Sequence, residues 1–298
     1  MAGTRWGASK DVLLLVYKAL IRSLIDYGCT AYGTASHTVK SKLESIQSKA
    51  LRICCGAMVG TPTAALQVEC AQPPLAFRRQ RMIADYALKV RIIPDHPSAS
   101  IMEDCWQLHY VDYPAGREPF GTKVSKTLKE TKIVYVPSAP PIPAPWVKST
   151  SAASLNYLLP LKRRIRDYII DQWQERWDYS DTSQFFRDLC PVVSYKIKRP
   201  LHPRHKDVQM TSLRLGHVRL GEKLHVIGQR PDPFCALCHE LEDVEHFLIK
   251  CPAQQQLQQQ LLRYCRANNI GFNVKSILKS EHCGDIIYDF IKSSGSFL

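Results

Sequence analysis

The sequence predicts a mainly α-helical protein with an N-terminal helical bundle and a small C-terminal helical domain. Three observations lead to this fold class. Apolar residues recur three and four positions apart in several long segments, which is the spacing of an amphipathic helix. A proline-rich segment, residues 132–154, separates two groups of such segments and is typical of an extended linker. The length of 298 residues and the apolar fraction of 45% suit two packed domains, at residues 1–131 and 155–298.

Four helices are predicted in the N-terminal part. Apolar residues at helical spacing define them, and a glycine follows the first and the second as a stop signal. The fourth helix carries an arginine row at Arg78, Arg79 and Arg81, which could meet phosphate groups or could be a solvated helix face. The four predicted ranges are Asp11–Tyr27, Thr38–Cys55, Thr61–Cys70 and Leu75–Ile92.

Four further helices are predicted after the proline-rich segment. The first is strongly amphipathic, with Arg163 and Arg164 near its start and Trp173 and Trp177 on its apolar face. The two tryptophans are four positions apart, so we interpret them as core residues, with a base-stacking platform as the less favoured alternative. The four predicted ranges are Leu158–Trp177, Asp181–Leu189, Ala253–Asn268 and Val274–Ile291.

The most specific motif in the chain is a set of cysteine and histidine residues with the spacing C-x2-C-x7-H-x4-C. It consists of Cys235, Cys238, His246 and Cys251 within 17 residues, residues 235–251. Thiolate and imidazole ligands at short spacing are what a tetrahedral Zn²⁺ site requires, and four protein ligands leave no open position for water. The motif therefore predicts a structural zinc knuckle. Two alternatives stay open: His239 in place of His246, and buried thiols without a metal.

A second signal is a concentration of positive charge before this motif. The chain has a net charge of +13, and residues 191–230 hold nine basic residues against two acidic ones. A basic block beside a zinc knuckle is typical of a nucleic-acid-binding protein, although a solvated basic face is the alternative. Phe234 and Phe247, which lie next to the knuckle, are candidates for stacking on unpaired bases. The candidate contacts in the block are Lys196, Lys198, Arg199, Arg204, Lys206, Arg214, His217 and Arg219, where His217 is either a packing or a phosphate-contact residue.

Composition excludes several classes of protein. No apolar segment reaches the length of a transmembrane helix, and the N-terminus has no features of a secretory signal. The cysteine count of 11 is odd and includes the adjacent pair Cys54 and Cys55, which favours thiols and a metal over a disulfide framework. We therefore expect an intracellular protein that does not bind a membrane.

A combination of short motifs is spread over the whole sequence. They are Trp6–Lys10, Leu20–Gly28, Tyr32-Gly33, Leu43–Gly56, Thr61-Pro62, Pro73–Arg79, Pro119–Gly121, Pro145-Trp146, Trp173–Trp177, Leu213–Leu220, the four knuckle residues and Ile287–Leu298. With these motifs, most of the chain resembles the C-terminal part of non-LTR (LINE-type) retrotransposon reverse transcriptases of the Jockey and I groups, after their palm.

The resemblance implies a thumb or connection segment, residues 1–131, joined to a basic helical domain with the terminal knuckle. It also implies RNA or DNA as a weakly sequence-specific partner, within a retroelement ribonucleoprotein, and no small-molecule substrate. Polymerase chemistry needs paired carboxylates that hold metal ions, and the 298 residues contain no Asp-Asp pair. Trp146 and Leu158 are only 12 positions apart, too close for the ribonuclease H domain that the family often carries there. We therefore expect a catalytically inactive protein; the alternative is the product of a decayed transposon open reading frame with no retained activity.

Overall fold

The structure, a computed structural model, describes residues 3–4, 6–33, 35–92, 96–100, 120–133, 152–197 and 202–295. Within these ranges the chain is helical and contains no β-strand, and an isolated antiparallel bridge joins Phe234 and Leu241. The predicted mainly α fold is therefore confirmed. Most of the proline-rich segment, with the Pro145-Trp146 motif, lies outside the described residues, as do Lys198 and Arg199.

The described residues form fourteen α-helices, which we number in chain order. They are α1 Lys10–Val16, α2 Ser23–Asp26, α3 Cys29–Tyr32, α4 His37–Cys55, α5 Thr63–Glu69, α6 Leu75–Ile92, α7 Phe120–Glu130, α8 Ala152–Asp178, α9 Gln184–Leu189, α10 Arg204–Leu215, α11 Gly221–Val226, α12 Gln255–Ala267, α13 Val274–Lys279 and α14 Gly284–Ser294. Turns of π-helix occupy Tyr17–Arg22 and His246–Lys250, and 3₁₀ turns occupy Pro252–Gln254 and Glu281–Cys283.

The strongly periodic helices agree with the sequence prediction. Helix α6 has the predicted limits, and α4 begins one residue earlier than predicted. The predicted first helix is continuous from α1 to α2 through a π-helical turn, and Gly28 follows it in a left-handed conformation at φ +68°. The predicted closing helix is instead two helices, α13 and α14. Helices α7, α10 and α11 were not predicted, because their apolar stripes are short and interrupted by charge.

The chain divides into two compact units that combine segments from distant parts of the sequence. The first, the knuckle unit, contains Met1–Tyr17, Ser48–Gln72 and Trp177–Leu298; the second, the bundle unit, contains Lys18–Gln47 and Pro73–Arg176. Both units contain segments from before and after the proline-rich segment, and the division into domains at residues 1–131 and 155–298 stays a prediction. The knuckle unit is discontinuous because α1, α4 and α5, although early in the sequence, contribute buried residues to the core that α10 completes.

The core of the knuckle unit contains a buried network of charges. The Nζ atom of Lys10 lies 2.9 Å from Oε1 of Glu69, and both side chains are only 3% exposed. The guanidinium of Arg214 approaches the other carboxylate oxygen of Glu69 at 3.0 Å, and Asp207 lies 3.8 Å from Lys10. A buried charge is tolerated only when it is paired, so this network joins α1, α5 and α10.

The core of the bundle unit is apolar and is formed by three helices. Ile83 and Leu88 of α6 pack with Val124 of α7 and with Ile165 and Ile169 of α8, all nearly inaccessible to solvent. Their spacing places them on one face of each helix, which is why the apolar stripe of the sequence predicted two of these helices well. No helix within the described part of the chain combines the length and the apolar character needed to cross a membrane.

Candidate metal centre and nucleic-acid interface

The first two candidate ligands lie in a tight hairpin that extends from Phe234 to Leu241. The backbone N–H of Cys235 donates to the carbonyl of Glu240 at 2.7 Å, and the N–H of His239 donates to the carbonyl of Cys235 at 2.9 Å. His239 adopts a left-handed conformation at φ +61°, which turns the chain back immediately after Cys238. The hairpin therefore presents both thiols of the C-x2-C motif to the same point.

The other two candidate ligands lie at the two ends of a π-helical turn. The carboxylate of Asp243 accepts a hydrogen bond from the backbone N–H of His246 at 2.6 Å, in the manner of a helix cap. The N–H of Cys251 donates to the carbonyl of His246 at 2.8 Å, which is the five-residue hydrogen bond of a π-helix. A π-helical turn is wider than an α-helical one, so residues five apart come closer to one face of the helix. This turn explains how the x4 spacing can serve a single ion.

The hairpin and the π-helical turn bring all four candidate ligands together. Their ligand atoms lie within 4.8 Å of one another. The sulfurs of Cys235 and Cys251 are 3.9 Å apart, and the sulfur of Cys238 lies 3.3 Å from Nε2 of His246. Zn–S bonds of about 2.3 Å and Zn–N bonds of about 2.0–2.1 Å require separations of roughly 3.4–3.8 Å in a tetrahedral site. The four residues could therefore hold a metal ion, whereas the exposed His239 is not a member of the cluster.

The protonation of the thiols differs within the cluster. Burial alone would raise the pKa of Cys235, but hydrogen bonds from the backbone at Leu237 and from His246 lower it to about 7. The pKa of Cys251 is raised to about 11, chiefly by burial and then by its contact with Cys235. Since a thiolate is the form that binds a metal, one of these two ligands is already close to that form at neutral pH.

Glu240 provides a partner for the outward nitrogen of the candidate ligand His246. The Nδ1 atom of His246 lies 3.5 Å from the Oε2 atom of Glu240, and it has no hydrogen bond within the described residues. His246 is 3% exposed, so this nitrogen is buried. A carboxylate at this position is the usual orienting group for a metal-bound histidine. Sequence reasoning missed Glu240, because its position after the C-x2-C motif carries no signal of its own.

Arg204, a predicted phosphate contact, is buried and donates hydrogen bonds to the backbone of the knuckle unit. It is 6% exposed, and its guanidinium donates to the carbonyls of Gly3, Ile53 and Cys54 at 2.7, 2.9 and 3.0 Å. Two of these carbonyls belong to the last turn of α4, where a cation is favourable because of the helix dipole. We therefore do not retain Arg204 as a nucleic-acid contact.

Two further residues of the basic block are neutralised by partners in the same unit. Arg214 belongs to the buried network with Glu69, as described above. Lys206 lies 2.6 Å from a carboxylate oxygen of Asp285 and 5.0 Å from the centre of the Tyr288 ring. The formal charge of the block therefore overstates the charge that it offers to solvent. Arg214, like Arg204, is better explained as a structural residue.

Other predicted contacts keep an exposed charge. Lys196 and Arg219 are exposed in the knuckle unit, and Arg163 and Arg164 are exposed on α8.

His217 is only half-buried, but burial and then the nearby Lys223 lower its pKa, so its ring is neutral at physiological pH. A neutral imidazole attracts phosphate weakly, which favours the packing interpretation of His217.

The predicted arginine row of α6 is paired rather than solvated. Arg78 donates to the carboxylate of Asp26 at 2.7 Å, and Arg81 lies 3.7 Å from Asp85 one turn along the helix. The third member of the row, Arg79, is buried and lies 3.4 Å from a carboxylate oxygen of Glu44. The prediction that this row contacts nucleic acid remains untested, but ion pairs within the bundle unit partly neutralise its charges.

The two phenylalanines beside the knuckle have different environments. The ring of Phe247 is 3% exposed and packs edge-on against Phe290, with ring centres 5.2 Å apart. The ring of Phe234 is 47% exposed. Stacking on a base requires an accessible ring face, so Phe234 is retained as a candidate and Phe247 is assigned to the core. Trp173 and Trp177 are also buried, as the core interpretation predicted.

Comparison with known proteins relates part of the chain to mobile genetic elements. It is 30% identical over 101 residues to the Retrovirus-related Pol polyprotein from type-1 retrotransposable element R1 4 of Nasonia vitripennis, which covers 33% of this chain and 25% of that protein. It is 28% identical over 102 residues to the corresponding R1 polyprotein of Bradysia coprophila, covering 33% of this chain and 10% of that protein. The chain thus matches a quarter or less of the length of these relatives. No protein-family model and no solved structure matches it. At this level the resemblance is confirmed, and the protein is related to the Pol polyproteins of retrotransposable elements.

Proposed function

We propose that this chain is a retrotransposon-derived, catalytically inactive protein that binds RNA or DNA through its basic surface and a structural zinc knuckle. The observation that carries this proposal is the convergence of three thiols and one imidazole within 4.8 Å. Few arrangements other than a metal site bring these four groups together. The relationship to retrotransposon polyproteins supports a nucleic acid as the partner, because such polyproteins serve elements that copy nucleic acid.

Zinc is the metal that this donor set favours. Three sulfur ligands and one nitrogen ligand in a tetrahedral arrangement are typical of Zn²⁺. Cys235 and Cys238 would bind from the hairpin, and His246 and Cys251 would bind from the π-helical turn. The ion would tie these two short segments to each other, so its role is to stabilise the fold of residues 234–251.

Exposed groups in the knuckle unit support binding of a single strand. Phe234 and Leu237 are 47% and 68% exposed and flank the candidate metal ligands. An apolar face of this kind can receive an unstacked base, while Lys196 and Arg219 can contact phosphates. Both contributions are largely independent of base sequence, so we expect weak sequence preference.

The absence of polymerase activity is proposed from the sequence. Phosphoryl transfer by a polymerase requires paired carboxylates that hold metal ions, and no two aspartates are adjacent in the 298 residues. A primer-extension assay on the purified chain is expected to give no product. Template-dependent extension would contradict this part of the proposal.

The decisive experiment measures the zinc content of the purified chain together with its affinity for single-stranded RNA at two salt concentrations. We expect one zinc per chain and a steep loss of affinity with salt, because each phosphate contact contributes about 0.7 to the slope of log K against log salt. Affinity that does not respond to salt would contradict a phosphate-based interface. Chains without zinc that bind neither RNA nor DNA would support the alternative of a decayed open reading frame.

A further inference from the structure

The bundle unit contains a basic cavity that the sequence did not predict. Its volume is about 360 Å³, at the lower end of small-ligand sites. Lys40 of α4, Arg79 of α6, and Lys123 and Lys126 of α7 line it. Four cations from three helices thus converge on one space, and Lys40 is far in the sequence from Lys123 and Lys126.

Arg79, which lines this cavity, has a hydrogen-bond donor that lacks an acceptor among the described residues. The residue is 8% exposed, and its Nη2 atom lies 3.4 Å from Oε1 of Glu44. Its Nη1 atom is buried and has no hydrogen-bond partner within the described part of the chain. An unsatisfied N–H on a buried cation is costly, so an anionic acceptor in the cavity would relieve it.

The N-terminus of α6 and its helix dipole do not provide the hydrogen-bond donors of this cavity. The carboxylate of Glu44 already accepts hydrogen bonds from the backbone N–H groups of Leu75 and Ala76, at 3.3 and 3.1 Å. These are the first amides of α6, and their capping leaves the side chains as the donors of the cavity. The specificity of the site must therefore come from the guanidinium and the ammonium groups.

The positive charge of the cavity is only partly balanced. Glu130 is the one acidic residue among the described residues that line it, and its carboxylate accepts a hydrogen bond from the hydroxyl of Tyr168. Lys123 donates to the carbonyl of Gly33 at 2.7 Å, a contact that keeps its charge. Lys40 and Lys126 form no ion pair with any described residue. The cavity therefore has an excess of positive charge.

We propose that this cavity binds a phosphate group. A phosphate offers several acceptor oxygens and negative charge to donors that approach from different sides, which matches a guanidinium and three ammonium groups on three helices. The group could belong to the backbone of a bound nucleic acid or be an inorganic phosphate ion. The first source rests on the nucleic-acid-binding function proposed above and gives that function a defined contact in the bundle unit.

The test compares two double variants of the full chain that have the same net charge. Lys40→Gln with Lys126→Gln removes two ammonium groups that line the cavity. Lys42→Gln with Lys129→Gln removes two exposed lysines from the same helices, α4 and α7, that do not line it. Phosphate binding is measured by calorimetric titration with inorganic phosphate, and RNA binding by anisotropy of a labelled single strand at two salt concentrations. Thermal melting of each variant confirms that it is folded.

We expect the control variant to bind phosphate and RNA as the unchanged chain does, apart from a small common effect of net charge. The cavity variant should lose phosphate binding, bind RNA about tenfold more weakly, and show a salt slope smaller by about 0.7. Equal losses in the two folded variants, or no phosphate binding to the unchanged chain together with equal RNA affinities, would overturn the proposal.

The two possible sources of the phosphate give different results. If only the cavity variant loses phosphate binding while both variants bind RNA equally, the site is confirmed for inorganic phosphate. If the unchanged chain binds phosphate at the cavity but binds no RNA or DNA, the cavity is confirmed and the proposed function fails. If RNA binding survives in both variants and depends instead on the knuckle, the proposed function stands without a contact at this cavity.

Discussion

The Nδ1 atom of His246 lies 3.5 Å from the Oε2 atom of Glu240. The main chain of the same glutamate accepts the hydrogen bond of the Cys235 N–H, so Glu240 contacts both halves of the candidate metal centre. One residue thereby positions a ligand of the hairpin through its backbone and a ligand of the π-helical turn through its side chain. The two halves of the candidate metal centre are thus linked by protein contacts of a single residue.

The first prediction concerns the side chain of Glu240. Glu240→Gln is expected to weaken zinc affinity about tenfold, because it removes the charged acceptor that orients the imidazole and increases its basicity. The backbone hydrogen bond to Cys235 is unchanged, so the fold should persist. Competition with a chromogenic chelator measures the affinity. Glu245→Gln is the matched control, since Glu245 is also exposed but pairs with Lys250. Equal zinc affinities in the two variants would contradict the orienting role.

The second prediction concerns the candidate metal ligands themselves. Cys238→Ser is expected to abolish stoichiometric zinc binding and to raise amide hydrogen exchange across residues 234–251, because an ion bound by the four candidate ligands would hold the hairpin to the turn. Mass-spectrometric exchange with parallel metal analysis measures both effects. Cys190→Ser changes a partly exposed thiol outside the cluster and should keep one zinc per chain. A knuckle that exchanges slowly in the Cys238 variant would show that protein contacts alone maintain it.

Local features of the sequence predicted which four side chains would form the candidate metal centre, and they predicted the longest helices. The ligands Cys235 to Cys251 lie within 17 residues, so their convergence depends only on one hairpin and one turn. The limits of α6 followed from its apolar period in the same way. The sequence could not predict whether a charged side chain is paired inside the fold or exposed, because this depends on distant partners. Arg204 donates to Gly3, and Arg214 pairs with Glu69. Counting the charges in one segment of the sequence cannot reveal contacts with residues that are distant in the sequence.

The composition of the two compact units could not be predicted for a similar reason. Proline density is a local property and predicts a boundary near residues 132–154, which stays a prediction. The knuckle unit includes α1 and α5 because Lys10 and Glu69 form a buried ion pair in its core. A lysine and a glutamate with 3% exposed side chains cannot be distinguished, in one sequence, from a lysine and a glutamate on the surface.

The third prediction concerns this buried pair. Lys10→Met is expected to lower the free energy of unfolding by about 3–5 kcal/mol, because the carboxylates of Glu69 and Asp207 then lose a buried partner. Chemical denaturation followed by circular dichroism measures the change. Lys49→Met is a matched control, since Lys49 is exposed on α4, and it should change stability by less than about 0.5 kcal/mol. A small effect at Lys10 would mean that Arg214 alone compensates for the charge of Glu69.

The fourth prediction is an alkaline loss of this contribution. Burial opposes the charge of Lys10, but Glu69 and Asp207 raise its pKa in the folded protein above the ordinary value of 10.5. The contribution of Lys10 is therefore fully present below pH 10.5 and is lost as the pH rises toward the raised pKa. The stability difference between the unchanged chain and Lys10→Met should be constant from pH 7 to 10 and fall by up to about 1.4 kcal/mol per pH unit above that. A difference that is constant to higher pH would contradict the raised pKa.

The fifth prediction distinguishes the roles of the two rings that flank the candidate metal ligands. Phe234→Ala is expected to weaken binding of single-stranded RNA by about 1–3 kcal/mol without lowering the melting temperature, because its exposed ring can stack on a base. Phe247→Ala should instead lower stability by about 3–5 kcal/mol, since its ring fills the core against Phe290. Leu241→Ala is the control for the hairpin, because Leu241 pairs with Phe234 and is 46% exposed but has no ring.

The pattern across these three variants decides whether the knuckle contacts bases. If stacking contributes, Phe234→Ala reduces RNA affinity and Leu241→Ala does not. The reduction should be the same at high and at low salt, because stacking releases no counterions. If Phe234→Ala and Leu241→Ala weaken binding equally, the apolar area of the hairpin matters and the ring does not. Unchanged affinity in both would confine nucleic-acid binding to phosphate contacts, and the metal would then serve the fold of the hairpin and the turn alone.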